Sequence, residues 1–186
     1  MNSTKPQEPA IRPVDGGEAE NLVPALADIL IDCVENGASV GFMSPLARTK
    51  AEAFWTEVAA GVRRRERTLL VAVLDGEVVG TAQVVFARPE NQPHRADVSK
   101  VLVHSRARGK GIGSALMRAA EDAARQSGKT LLVLDTMTGS DAERLYTRLG
   151  WTPVGGIPGF ALYPQGRLGG TTIFYKHVSP AGAAPT

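Results

Sequence analysis

The sequence predicts a mixed α/β protein with one central sheet, mostly antiparallel, and helices packed on it. Three observations predict this class. Two runs rich in β-branched residues flank Asp75-Gly76, a dipeptide typical of a tight hairpin. A glycine-spaced turn then leads from a strand-like segment at 96–103 into an amphipathic helix. A short apolar strand, "TLLVLDT", follows, and this strand–helix–strand order predicts one parallel pair in the sheet.

Composition limits the class of protein further. A chain of 186 residues can form one domain with a substantial core, and 43% hydrophobic and 22% charged residues are ordinary values for a globular protein. A net charge of +2 is too small to indicate nucleic-acid binding. No apolar run approaches the roughly 20 residues that cross a bilayer. With one cysteine, Cys33, and no secretory signal pattern, the expected location is the cytoplasm.

The domain is expected to span 10–178. The segments outside it, 1–9 and 179–186, are small, polar and rich in proline, so we expect them to be flexible tails.

In the first half of the chain, a short strand at 10–14 is expected to precede two helices. Apolar residues from Leu22 to Cys33 recur at helical spacing and predict a first helix that ends near Gly37. Ser44-Pro45 has the pattern of an N-cap followed by a proline at the first helical position, which predicts the start of the second helix. The two hairpin strands follow over 68–87.

In the second half, the helix after the glycine turn has an apolar face and a charged face, and Gly128 suits its C-terminal cap. The "TLLVLDT" strand is almost wholly apolar, which is typical of a central strand buried on both faces. Ser140 to Glu143 form a capping-box pattern that opens a last helix, and Gly150 closes it. "WTPVGGIPGF" and "TTIFYKHV" are the late strands.

The glycine turn itself reads "RGKGIG" from Arg108 to Gly113. A Walker A loop would need Ser or Thr after Lys110, and the dinucleotide G-x-G-x-x-G spacing is also missing. Backbone N–H groups at a helix N-terminus attract an anion, and glycine lets a pyrophosphate approach closely. By spacing alone, a pyrophosphate site and a basic surface turn are equally compatible with these residues.

Taken with "AERLYTRLGW" later in the chain, the turn resembles the GNAT family of N-acetyltransferases. The acetyl-CoA loop of that family has the form Arg/Gln-x-x-Gly-x-Gly/Ala. Its later helix carries a tyrosine followed by x-x-x-Gly-aromatic, here Tyr146, Gly150 and Trp151. One departure is Gly139, which stands where many members have asparagine.

Four further segments are similar to the tabtoxin-resistance type of this family, which is bacterial and acetylates an amino-acid-like toxin. They are "GASVGFM", "RADVSK", "LDTMTGSDAE" and "GGIPGFALYPQGRLGGTTIFYK".

The resemblance implies acetyl-CoA as co-substrate and a central pair of parallel strands that splay apart. The strand end would pair with the pantetheine arm, and the loop would hold the pyrophosphate. The implied donor-binding residues run from the strand to the helix: Val101, Leu102, Val103, Arg108, Gly109, Lys110, Gly111, Ile112, Gly113 and Ser114. No metal is expected, because no histidine has a partner at ligand spacing.

The predicted catalytic residues are Tyr146, Asp97 and Asp135. Tyr146 matches the family's general acid toward the departing sulfur, although its apolar neighbours would also suit a core tyrosine. Asp97 and Asp135 lie on strands expected to be neighbours, and either carboxylate is a candidate base for an ammonium acceptor. The alternatives are a solvated strand-end charge for Asp97 and a turn cap for Asp135.

The function predicted is acetylation of a primary amine on a small amino-acid-like molecule, toxin or antibiotic. The alternatives are a protein or peptide N-acetyltransferase and a non-catalytic acyl-CoA-binding module. Arg167 is a candidate partner for an acceptor carboxylate or, equally, a solvated loop charge, and Cys33 is expected in the core. The partner expected is a small-molecule amine, with neither nucleic acid nor membrane, and the chain is expected as a monomer or homodimer.

Overall fold

A seven-stranded sheet organises the computed structural model, which describes residues 8–179. The strands are β1 (Ala10–Val14), β2 (Arg67–Leu74), β3 (Glu77–Phe86), β4 (Arg95–Val103), β5 (Leu131–Met137), β6 (Thr152–Leu162) and β7 (Leu168–His177). The helices are α1 (Gly16–Asn21), α2 (Val23–Glu35), α3 (Arg48–Arg63), α4 (Ile112–Gln126) and α5 (Asp141–Arg148). The expected tails fall almost entirely on 1–7 and 180–186, which lie outside the described residues.

The predicted mixed α/β class is confirmed. The strand order is β1-β2-β3-β4-β5-β7-β6, and every neighbouring pair is antiparallel except β4 and β5. The parallel register is short and ends at Asp97↔Val133, whereas β5 stays paired with β7 as far as Met137↔Thr171. β4 and β5 therefore diverge beyond Asp97, and two backbone edges face each other across the opening.

Apolar side chains fill both faces of this sheet. On one face, α4 and α5 cover a cluster that includes Leu116, Leu132 and Phe174. On the other, α2 and α3 bury Leu30 and Trp55 against the sheet. Each fully buried leucine of this kind contributes about 2 kcal/mol, so both layers stabilise the central strands beside the opening.

The helices before β2 differ from prediction in two places. The predicted first helix is present as α2, and a short helix that the sequence did not predict, α1, precedes it. Ser44 does not cap α3, which begins at Arg48. Instead, the Ser44 hydroxyl donates to Glu35 Oε2 (2.6 Å), and the Leu46 N–H donates to Glu35 Oε1 (3.0 Å). These two hydrogen bonds to Glu35 fix the segment 44–46 against the end of α2, and α3 begins only after this segment.

Candidate active site

A cavity of about 510 Å³ lies where β4 and β5 diverge. Its wall runs from the strand edges to the glycine turn and is completed by α5. Nine of the ten predicted donor-binding residues line it: Val101, Leu102, Val103, Arg108, Gly109, Gly111, Ile112, Gly113 and Ser114. The tenth, Lys110, is exposed and lies outside the lining.

The glycine turn leaves its backbone accessible on the cavity side. Gly109 has φ +77° and Gly111 has φ +75°, and a Cβ added at either would meet nothing within 4 Å. Gly111 is also the N-cap residue of α4, where no side chain accepts a hydrogen bond from the first turn. Open space before uncapped N–H groups at the positive end of a helix dipole fits a phosphate group.

Arg108 connects the turn to the end of β4. Its Nε donates to the Val103 carbonyl (3.1 Å), and its Nη2 donates to Cys33 Sγ (3.7 Å). Cys33 belongs to the core cluster under α2, as predicted, and is 2% exposed. Burial raises the pKa of this thiol, which disfavours the thiolate that a nucleophilic cysteine would need.

Tyr146 lies on α5, which begins with the capping box that the sequence predicts: Ser140 Oγ accepts from the Glu143 N–H (3.2 Å). The Tyr146 ring packs near Trp151 and Phe174, with centroid distances of 6.3 and 6.0 Å, and its side chain lines the cavity. Burial, and secondarily the Asp135 carboxylate, raise the pKa of Tyr146 to about 12. The hydroxyl therefore stays protonated at neutral pH and can donate a proton.

A second cavity of about 290 Å³ adjoins the first. Both cavities share one stretch of wall, made of Ser39, Val40, Val98, Ser99, Lys100, Asp135 and Met137. The second cavity is closed by residues of the β6–β7 hairpin and its base, Phe160, Ala161, Tyr163, Gly170 and Thr171. Asp135 is held at the junction, because the Thr171 hydroxyl lies 3.0 Å from Asp135 Oδ2.

Asp97 and Arg167 do not reach either cavity. Arg95 Nη1 donates to Asp97 Oδ1 (2.6 Å), and Asp97 is absent from both linings. The reason is register: β4 is still paired with β5 at Asp97, and the strands open only after it. The expectation that both carboxylates meet at one site is thus corrected, and only Asp135 lines the cavities. The Arg167 guanidinium instead lies over the Tyr163 ring, 5.1 Å from its centroid.

Lys100 is a site residue that sequence reasoning missed. It lines both cavities, and its Nζ lies 5.6 Å from the centroid of the Phe54 ring. Regular alternation would place it on the same face as Val98, but its φ is +51° and the β3–β4 register shifts beside it. Beyond this bulge the alternation reverses, so Leu102 packs into the opposite core from Val98. Nothing in "ADVSKVLV" marks the bulge.

Within residues 8–179, no group of three or more His, Cys, Asp or Glu side chains is placed to hold a metal ion. In the same part of the chain, no helix is long and apolar enough to cross a membrane.

A sheet that opens at a single parallel strand pair, beside an uncapped glycine turn, defines an N-acetyltransferase fold. The model of the acetyltransferase (GNAT) family matches residues 25–151. The chain belongs to this family, as the resemblance implied.

Two curated relatives agree with this assignment. An uncharacterized N-acetyltransferase of Azospirillum brasilense is 37% identical over 112 residues, which cover 59% of this chain and 65% of the relative. The N-acetylaspartate synthetase of Rattus norvegicus is 36% identical over 104 residues, which cover 53% of this chain and 34% of that protein. The match therefore spans less than two thirds of the first relative and about one third of the second.

Solved structures share the fold over nearly the whole chain. An N-acetyltransferase from Staphylococcus aureus superposes with a TM-score of 0.77 at 20% identity, covering 93% of this chain and 100% of that one. A phosphinothricin acetyltransferase from Sinorhizobium meliloti, solved in complex with acetyl-CoA, gives 0.74 at 18% identity, covering 97% and 94%. At these identities the two likenesses establish the fold alone.

Proposed function

We propose that the protein transfers the acetyl group of acetyl-CoA to the primary amine of a small amino-acid-like molecule. The observation that carries this proposal is the junction of the two cavities at Asp135. One cavity leads to the glycine turn, and the other is a smaller chamber under the β6–β7 hairpin. Donor and acceptor would thus approach from opposite sides and meet at the opening between β4 and β5.

The first cavity offers partners to two polar parts of acetyl-CoA, the pyrophosphate and the amides of the pantetheine arm. The N–H groups of Gly111 to Ser114 and the cation of Arg108 would bind the pyrophosphate. The edge of β4 that faces the opening would pair with the amides of the pantetheine arm, as an added strand does. Backbone N–H groups at this edge would then also stabilise the oxyanion that forms on the thioester carbonyl.

The chemistry needs one proton acceptor and one proton donor. The Asp135 carboxylate attracts the acceptor ammonium and takes a proton from it, which frees the nitrogen lone pair. The amine attacks the thioester carbonyl and forms the N–C bond, which gives a tetrahedral oxyanion. As this intermediate collapses, the C–S bond breaks and the Tyr146 hydroxyl gives its proton to the departing thiolate; the second proton that the nitrogen loses on becoming an amide restores the tyrosine hydroxyl. Because the pKa of Tyr146 is raised, its hydroxyl is still protonated when the C–S bond breaks.

Three points support a small amino-acid-like acceptor, and a toxin of the tabtoxin type is one member of this class. The second cavity has the volume of a small molecule, about 290 Å³. It is walled by a hairpin, a boundary that suits a free amine better than the tail of a folded protein. One relative is named for N-acetylaspartate, an acetylated amino acid. On the sequence grounds given above, we propose that the reaction takes place in the cytoplasm; we also propose that the chain is a monomer or a homodimer.

Thiol release from acetyl-CoA tests the proposal. The assay compares no acceptor, amino acids, dipeptides, polyamines, aminoglycosides and longer peptides. We expect rapid release with amino-acid-like amines and slow release without an amine. Efficient reaction with peptides or aminoglycosides alone would show that the acceptor class is wrong. Tight binding of acetyl-CoA with no transfer to any amine would instead favour a binding module.

A further inference from the structure

Lys100 is a cation held at the junction of the two cavities without an ionic partner. Among residues 8–179, no carboxylate lies within salt-bridge distance of its ammonium group. The contact recorded for it is with the face of the Phe54 ring, at 5.6 Å. Most of the side chain is removed from bulk water, and this desolvation lowers the pKa of Lys100, opposed by the charge of Asp135.

Lys176 shows how the same fold treats another partly buried lysine. Its Nζ donates to Glu121 Oε1 (2.8 Å) and to the Leu149 carbonyl (2.8 Å), so its charge is paired with a carboxylate and two of its N–H groups are hydrogen-bonded. A partly desolvated ammonium without such partners is costly. A lysine commonly lowers that cost by extending its end group into water. At Lys100 the β-bulge, with its left-handed backbone, instead places the residue in the wall of both cavities, with its Nζ over the Phe54 ring.

Asp135 faces the same space with the opposite charge. Both residues line both cavities, Lys100 from β4 and Asp135 from β5, so they lie on the two sides of the strand opening. An acceptor that carries both an ammonium and a carboxylate, as an α-amino acid does on its central carbon, has two charges that complement this pair. An acceptor with a second cation would meet Lys100 with like charge.

We infer that Lys100 binds the carboxylate of the acceptor and so selects amines that carry one. This inference rests on the proposed acetyltransferase function and narrows its substrate class to amino carboxylates. The acceptor ammonium would lie at Asp135 and its carboxylate at Lys100, which orients the nitrogen toward the donor cavity. Arg167, the sequence-based candidate for binding the acceptor carboxylate, lies over the Tyr163 ring and lines neither cavity.

The test uses pairs of acceptors that differ only in the carboxylate: each amino acid beside its amide and beside the amine that lacks the carboxyl group. In the unmodified protein we expect kcat/KM to favour the amino acid by roughly 10- to 100-fold, the effect of one hydrogen bond to a charged group. Lys100→Met should bring this ratio close to one, mainly through acceptor KM, and should leave the KM for acetyl-CoA within about twofold. Lys100→Arg should restore most of the preference because it restores the charge.

Lys50→Met is the matched control. Lys50 also lies over an aromatic ring, 5.8 Å from the Phe42 centroid, but it lines neither cavity. Its removal should leave the preference for the carboxylate unchanged. A melting curve for each variant checks folding, and Lys100→Gln replaces Lys100→Met if the latter does not fold.

Three outcomes would overturn the role of Lys100 while leaving the acetyltransferase function intact. The first is a variant without the cation that still prefers the carboxylate, and the second is an unmodified protein that shows no preference. The third is acetylation of Lys100 itself, seen by mass spectrometry after incubation with acetyl-CoA alone, because the lysine would then be an acceptor. Absence of transfer to every member of the pairs would contradict the proposed function as well.

Discussion

The two cavities that meet at Asp135 are built in different ways. The first cavity, which we propose as the donor cavity, relies on backbone: a turn with two left-handed glycines, an uncapped helix start and a strand edge that faces the opening. The second, which we propose as the acceptor cavity, relies on side chains, among them Lys100, Phe160 and Tyr163. A backbone site suits a ligand that is the same in every reaction of a family. A side-chain site can change its ligand by single substitutions, so its specificity is not fixed by the fold.

The largest effect should come from placing a side chain in the backbone site. Gly111→Asp sets a Cβ and a negative charge before the N–H groups proposed to hold the pyrophosphate. It also forces an ordinary residue into a left-handed conformation, at a cost of about 1 kcal/mol. We expect acetyl-CoA binding, measured by calorimetry, to become undetectable.

Gly128→Asp adds the same charge and a similar backbone strain at a different position, so it isolates the effect of position. Gly128 ends α4 with φ +71°, and a Cβ added there also meets nothing within 4 Å, but it lies outside the donor cavity. This variant should lose at least as much stability, because a negative charge at a helix C-terminus opposes the helix dipole, and it should keep its affinity for acetyl-CoA. Equal affinity in the two variants would remove the glycine turn from the donor site.

A smaller effect is expected at Tyr146, the side chain of the donor cavity that is proposed to take part in the chemistry. Tyr146→Phe keeps the packing against Trp151 and Phe174 but removes the proposed proton donor. We expect kcat to fall on the order of 10²-fold, with little change in acetyl-CoA affinity. Tyr175→Phe, on β7 and outside both cavity linings, is the control and should retain full kcat.

The pH dependence of this loss follows from the direction of the pKa shift. Burial raises the pKa of Tyr146 to about 12, so the hydroxyl holds its proton throughout the range from neutral pH to about pH 10. The ratio of unmodified to Tyr146→Phe rates should therefore stay constant over that range. A ratio that shrinks as pH approaches 10 would show a tyrosine with an ordinary pKa and would contradict its role as the buried acid.

The donor cavity was largely predictable from sequence because backbone geometry leaves a record in glycine. Nothing within 4 Å blocks the space beside Gly109 and Gly111, as the predicted close approach of a pyrophosphate requires, and Ser140 caps α5 as the capping-box pattern predicted. Helix and strand periodicity also placed the parallel pair correctly, since a strand–helix–strand unit leaves few other arrangements.

The acceptor cavity was not predictable to the same degree, for two physical reasons. The direction of Lys100 depends on a β-bulge, which reverses side-chain alternation without any glycine or proline to mark it. The exclusion of Asp97 depends on where two strands stop pairing, which is decided by contacts distant in sequence. Ser44 illustrates the same limit, because a carboxylate on another helix, Glu35, binds the hydroxyl that looked like a cap.

The smallest effect is expected from the carboxylates, and it tests which of them belongs to the acceptor side. Asp135→Asn keeps the shape of the side chain and an oxygen for the Thr171 hydroxyl, but it removes the charge that attracts and deprotonates an ammonium. We expect kcat/KM for the acceptor to fall roughly 10-fold or more, with acetyl-CoA affinity unchanged. Raising the pH should recover part of this loss, because more of the acceptor is then already neutral.

Asp97→Asn is the control: it removes an equivalent charge that is paired with Arg95 outside both cavity linings, so it should change kcat/KM by less than about twofold. Steady-state kinetics on both variants across pH decides between them. A larger loss from Asp97→Asn than from Asp135→Asn would mean that the base acts from β4, on the other side of the opening from Asp135.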